Sequence, residues 1–135
     1  MVTMTFREFM KGDYEEPLLI TDSFKLYVLS DSSDNCLYVG ISTTNIWNRW
    51  FNYRFSHMGT NIYKELFGNT SVGRYMVANI PKSLDWNIHL YSLIDCRRLL
   101  NDKRKMPIHE VEPRIIKKLR PSMNVEFNCQ VKQQK

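Results

Sequence analysis

The distribution of apolar residues predicts a domain of mixed strands and helices, with an antiparallel hairpin and a third strand. Three observations predict it. Residues 24–29 and 36–41 are apolar runs joined by Asp31-Ser-Ser-Asp-Asn35, a cluster of turn-forming residues, and so read as a β-hairpin. Residues 86–94 alternate well enough to supply a third strand. Ile46, Trp47, Trp50, Phe51, Arg54 and Phe55 instead follow helical spacing, and Pro107 and Pro113 bracket the opening of a last helix that carries Ile115, Ile116 and Leu119.

In chain order, residues 3–11 read as a short helix and 12–23, with Gly12, Asp13, Pro17 and Asp22, as loop, so that 1–23 form an N-terminal extension. The domain proper spans 24–125 and opens with the hairpin. Thr44 and Asn45 are N-cap candidates for the helix that follows, which is expected to continue through roughly His57. Between Gly59 and Pro81 a helix around 62–67 and a short element around 72–79 are expected. Pro121 stops the final helix, and 126–135 form a basic, polar tail. Internal repeats, low-complexity tracts and a clear linker are absent from the sequence.

With 135 residues, 43% hydrophobic and 13% aromatic, the chain is expected to bury one sizeable core, which excludes a largely disordered protein. No apolar run approaches the length of a bilayer span, and Met-Val-Thr-Met-Thr-Phe-Arg-Glu-Phe-Met lacks the uninterrupted apolar stretch of a signal peptide. A cytoplasmic protein with no membrane partner is expected. Cys36, Cys96 and Cys129 are odd in number and widely spaced, and read as reduced thiols. Neither alone nor with His57, His89 and His109 do they show the spacing of a metal site.

The net charge of +5 is unevenly placed. Residues 97–135 hold eleven Lys+Arg against four Asp+Glu, or +7, whereas residues 1–96 hold eight against ten, or −2. A basic C-terminal third suits a polyanion such as DNA. Solvated helix faces account for Arg97-Arg98, Lys103-Arg104-Lys105 and Lys117-Lys118 equally well.

Several residues carry chemistry beyond packing. Tyr27 and Tyr38 lie eleven apart, so a five-residue turn brings both hydroxyls toward one site on the sheet, although strand tyrosines are ordinarily packing residues with a wet tip. Gly40 permits close approach at the strand end. Arg49 offers a permanent, forked cation for a phosphate. Tyr53 is one helical turn further on, and His57, one turn beyond that, is the weaker candidate, a surface or packing histidine by default. A hard divalent cation can be held by one carboxylate together with waters and phosphate oxygens, for which Glu112 and Glu110 are the candidates.

These positions resemble the GIY-YIG nucleases. Lys25-Leu26-Tyr27 stands where that family has Gly-Ile-Tyr, Tyr38-Val39-Gly40 where it has Tyr-Ile-Gly, and Arg49 falls in the following helix. Glu112-Pro-Arg-Ile-Ile-Lys-Lys-Leu-Arg-Pro-Ser-Met-Asn124 is similar to the closing motif in the amino-terminal nuclease domain of the excision-repair incision protein, and the likeness covers about residues 24–125. It implies an α+β, GIY-YIG-like domain, a small, mainly antiparallel three-stranded sheet flanked by helices, that hydrolyses phosphodiester bonds in DNA with Mg2+ or Mn2+. Tyr27 is then the favoured base and Tyr38 the orienting partner. Arg49 stabilises charge, Tyr53 occupies a place where the family commonly has His or Tyr, and Glu112 holds the metal, since it alone stands twelve residues before Asn124. Asn124 is either structural or a phosphate contact. With Gly40, His57, Lys117, Lys118 and Arg120 it completes the candidate DNA-binding set.

The sequence departs from the family at Lys25, which replaces its first glycine, and at Ile41, where several relatives carry lysine. Arg49 also follows Tyr38 by eleven residues rather than the commoner ten. A restriction-type, phage or repair enzyme all fit. A double-strand cutter calls for a homodimer and a nickase does not. The alternative from another class is a nucleic-acid-binding module that keeps the fold without cutting.

Overall fold

The computed structural model describes residues 1–11, 24–42, 45–51, 56–59, 66 and 68–124. The predicted α+β class is what forms. Four antiparallel strands, β1 (Val2–Thr5), β2 (Leu26–Ser30), β3 (Cys36–Ile41) and β4 (Asn87–Tyr91), make one sheet in the order β1-β4-β2-β3. Helices α1 (Phe6–Lys11), α2 (Ile46–Phe51), α3 (Ser71–Ala78), α4 (Leu93–Leu100) and α5 (Ile108–Leu119) flank it. The expected loop at 12–23, helix at 62–67 and tail at 126–135 lie outside the described residues, apart from Leu66.

The sheet has four strands rather than three because residues 2–5 are a strand, not the start of a helix. Val-Thr-Met-Thr is rich in β-branched residues, and it pairs with β4 from Val2 opposite Leu90 to Thr5 opposite Asn87. The helix begins only after Thr5, which forms a capping box. Thr5 Oγ1 accepts from the Glu8 amide at 3.2 Å, and the Glu8 carboxylate accepts from the Thr5 amide at 3.1 Å. Phe6 and Phe9 on α1 are fully buried, so residues expected to precede the domain supply its edge strand and part of its core.

The hairpin matches its sequence reading closely. The Asp31 carboxylate closes the turn by accepting from the amides of Ser33 and Asn35, at 2.9 and 3.0 Å. Strand β4 is shorter than expected. It ends at Tyr91 because Ser92 and Asp95 form a second capping box, from which α4 starts. The last helix runs to Leu119, with Arg120 in the left-handed conformation and Pro121 beyond it.

Alternation along β2 divides the core. Tyr27 and Leu29 join Phe6, Phe9, Trp50, Phe51, Ile88 and Leu90 on one face, whereas Leu26, Val28 and Val39 pack with Cys96, Met106, Val111, Ile115 and Ile116 on the other. Strand β3 is an edge whose outer side is covered by the chain leaving α5. The amides of Ser122 and Met123 donate to the carbonyls of Cys36 and Leu37, at 3.1 and 2.8 Å.

Candidate functional site

The site grows from the pairing of β2 with β3. Tyr27 stands directly opposite Gly40, and Leu29 opposite Tyr38, so both tyrosines share the α2 face of the sheet. Their rings are near-parallel, with centroids 6.1 Å apart. Gly40 is a steric requirement of this arrangement: a Cβ there would overlap the hydroxyl and ring of Tyr27. The close approach expected at this glycine is therefore made by the tyrosine of the neighbouring strand. Lys25, in place of the family's glycine, continues the ladder, its amide donating to Tyr91 and its carbonyl accepting from Ser42, both at 3.0 Å. Ile41 packs against the opposite core.

Helix α2 brings Arg49 to the same place. Asn45 Oδ1 caps this helix by accepting from the Asn48 amide at 2.8 Å. The helix is described to Phe51; residues 52–55, Tyr53 among them, lie outside the described residues, and His57 does not belong to a continuation of it. The chain then returns alongside the helix: the amides of His57 and Met58 donate to the carbonyls of Arg49 and Trp50, at 3.1 and 2.9 Å. An amide bonded eight residues back cannot belong to a continuing α-helix.

That return makes His57 an interior residue. It is 1% exposed, and its ring lies 4.5 Å from that of Trp50 and 5.4 Å from that of Tyr38, centroid to centroid. His57 Nε2 and Tyr27 Oη are 2.5 Å apart in a hydrogen bond. On its other side, His57 Nδ1 is hydrogen-bonded to Thr70 Oγ1 at 2.7 Å. Thr70 is the N-cap of α3 and also accepts from the Gly73 amide at 3.1 Å. Thr70 was not among the residues singled out in the sequence, although Thr-Ser-Val-Gly before a helical run is an N-cap signal.

The electrostatics of Tyr27 link four elements. Burial holds its phenol well above the ordinary range and Tyr38 adds to this, while Arg49 pulls it down and Glu112 raises it. Burial, and then Arg49, push the His57 imidazole down to about 3, so the ring is neutral near pH 7. Tyr38, Arg49 and Glu112 thus act on the one buried phenol of Tyr27, with His57 bonded directly to it.

Glu112 and Glu110 occupy different faces of α5. Glu112 is half-buried and falls on the helical stripe of Ile115, Ile116 and Leu119, whereas Glu110 is exposed. Among the described residues no three His, Cys, Asp or Glu side chains gather as a metal cage. A half-buried carboxylate whose charge reaches the same phenol as an arginine could serve a hard cation that takes its other oxygens from water and phosphate.

Asn124 explains the twelve-residue interval. Its Oδ1 accepts from the Val39 amide at 2.8 Å and its Nδ2 donates to the Val39 carbonyl at 2.7 Å, so both ends of the amide satisfy one residue of the edge strand. Of the two roles open to it in the sequence, the structural one is what its buried side chain performs. It ties the exit of α5 to the residue between Tyr38 and Gly40, and thereby sets where Glu112 lies relative to the tyrosines. Lys117, Lys118 and Arg120 are exposed, about 7–12 Å further along α5 from Glu112. Comparison of the chain with protein-family models, curated proteins and solved structures gives no match.

Proposed function

We propose that this domain is a metal-dependent DNA endonuclease of the GIY-YIG type. The observation that carries the reading is the convergence of Tyr27 from β2, Tyr38 from β3, Arg49 from α2 and Glu112 from α5 on one electrostatic site. Core packing accounts for the two phenols, but it gives no reason for a guanidinium and a half-buried carboxylate, 63 positions apart, to act on the same one. The added strand β1 lies at the sheet edge remote from β3, so the hairpin arrangement that the family resemblance implies is left intact.

In this mechanism Glu112 would hold magnesium or manganese, which would supply charge neutralisation at the phosphate and leaving oxygen. Arg49 binds the scissile phosphate and stabilises the negative charge that builds on it. Tyr38, partly exposed, orients the attacking water, and Tyr27 assists its deprotonation. The exposed cations of α5 hold the DNA backbone and contribute affinity without reading sequence.

Plasmid cleavage tests the reading. Wild-type protein is expected to cut in magnesium and not in chelator, and Glu112→Gln to lose at least about a hundredfold in rate while Glu110→Gln retains activity. Arg49→Ala is expected to lower cleavage far more than DNA affinity. Equal losses of cleavage and affinity, or full activity in Glu112→Gln, would favour the non-cleaving binding module.

A further inference from the structure

The chain between α4 and α5 bounds a pocket of about 310 Å³, lined by Ile94, Arg97, Arg98, Asn101, Asp102 and Lys103. Its walls are fixed by the chain's own bonds. Asn101 takes the left-handed conformation as the C-cap of α4, and the amides of Asn101 and Asp102 donate to the carbonyls of Arg98 and Arg97, at 3.1 and 3.0 Å, so these acceptors of the helix end are already occupied. The Asp102 carboxylate then ties this turn to α5. It accepts from the Arg104 amide at 2.9 Å and from Arg104 Nη2 at 2.8 Å, and pairs with Arg114 of α5 at 3.3 Å.

The charge of the pocket is one-sided. Among the described residues Asp102 is the one carboxylate of the lining and is shared between Arg104 and Arg114, whereas Arg97, Arg98 and Lys103 have no ion-pair partner. Three unpaired cations around one concavity repel one another, and an anion between them relieves that repulsion. Arg97 is also half-buried, with its Nε enclosed and without a hydrogen bond, unlike an arginine on a merely solvated helix face, where water completes the donor set. Ile94, 57% exposed, adds an apolar wall. The pocket stands apart from the Tyr27 site. Arg114 lies about 200° around α5 from Glu112, so the face of the helix that meets Asp102 points away from the one that carries Glu112.

We propose that this pocket is a second anion site, which takes the phosphate of a nucleotide, free or within a DNA strand. Arg97 and Arg98 supply forked donors that match phosphate oxygens, and Lys103 adds a point charge. The volume exceeds what a bare phosphate needs and reaches the small end of ligand sites, which leaves room for the sugar or base against Ile94. A phosphate held here is not the scissile one beside Glu112, so the site does not depend on the endonuclease reading.

Proton–nitrogen NMR of the arginine Nε–H groups of the full chain tests this without any assay of cleavage. Deoxyadenosine monophosphate, deoxyadenosine and a short DNA duplex are titrated in turn. The Arg97 and Arg98 resonances are expected to move to saturation with the phosphorylated probes and to stay in place with deoxyadenosine, while that of Arg7, paired with Asp85, does not move. Movement with the monophosphate identifies a free nucleotide as a ligand, and movement with the duplex alone identifies a backbone phosphate. No movement with either, or equal movement with deoxyadenosine, overturns the proposal. Arg98→Gln and Lys103→Ala change exposed positions and are expected to fold and to weaken binding of the probe that moves the signals about tenfold each. Arg74→Gln, which removes an exposed cation from α3, should keep the wild-type affinity, and a loss as large as that of Arg98→Gln would show unspecific attraction to a basic protein instead. Arg49→Ala should likewise keep its affinity for the monophosphate; if it does not, the phosphate sits at the Tyr27 site and the second site is wrong. Absence of any wild-type cleavage rejects the proposed function and leaves this pocket to be decided by the titration.

Discussion

On one face of the β2–β3 hairpin, Tyr27 and Tyr38 stand among Trp50, Arg49 and His57, whereas on the other Leu26, Val28 and Val39 meet Cys96, Met106, Val111, Ile115 and Ile116. The same ten or so residues build both. One face buries a neutral imidazole and a phenol joined by a hydrogen bond; the other buries side chains that need no partner, and its two thiols, Cys36 and Cys96, are pushed up by burial to about 11 and about 12. The difference teaches a division of labour imposed by the period of two. The apolar face anchors α5, while the charge of Glu112 on that helix acts on Tyr27 of the polar face, and Asn124 binds the exit of α5 to the edge strand.

The sharpest way to break this comparison is to damage adjacent residues on opposite faces. Gly40→Ala drives a methyl into the Tyr27 ring and is expected to cost about 1–3 kcal/mol of stability. Val39→Ala removes two buried methyl groups and is expected to cost about 2 kcal/mol. Assayed at a temperature where both variants are folded, Gly40→Ala should lose cleavage at least about a hundredfold and Val39→Ala only a few fold. Similar activities would mean that the two faces are not functionally separate.

The pH dependence of stability distinguishes the faces next. His57 titrates near 6.5 when unfolded and is held down to about 3 when folded, so below pH 6.5 the unfolded chain binds the extra proton. Stability is therefore fully kept above about pH 6.5 and is lost progressively as pH falls toward 3, by up to about 1.4 kcal/mol per pH unit from this residue. Thermal unfolding of His57→Gln across that window should show a shallower decline than wild type. Parallel curves would show that His57 is not buried neutral.

The smallest effect concerns the solvent side of the apolar face. Lys117→Ala and Lys118→Ala should each reduce the salt dependence of DNA binding by about one unit of slope, with stability nearly unchanged. A variant that binds DNA with the wild-type slope places that lysine outside the bound surface.

Local chemistry made much of the molecule legible. The turn at Asp31–Asn35, the strands on either side, the stop at Pro121 and the helix on which Glu112 sits all follow from residues within a few positions of one another. The capping boxes Thr5-Phe-Arg-Glu8 and Ser92-Leu-Ile-Asp95 were equally local signals. They mark where β1 gives way to α1 and β4 to α4, boundaries that a helix over 3–11 and a strand over 86–94 miss. Tertiary structure decided the rest. Nothing near His57 in sequence says that His57 and Met58 lie against α2, because the bonds that hold them run to Arg49 and Trp50 and to Asn69. Nor does an asparagine after a proline reveal that its amide will close an edge strand 85 residues away. Residue types and short spacings determined which groups this chain has available for chemistry. Long-range pairing, whose partners are set by the whole packed core, decided that Tyr27 is bonded to His57 and Asn124 to Val39.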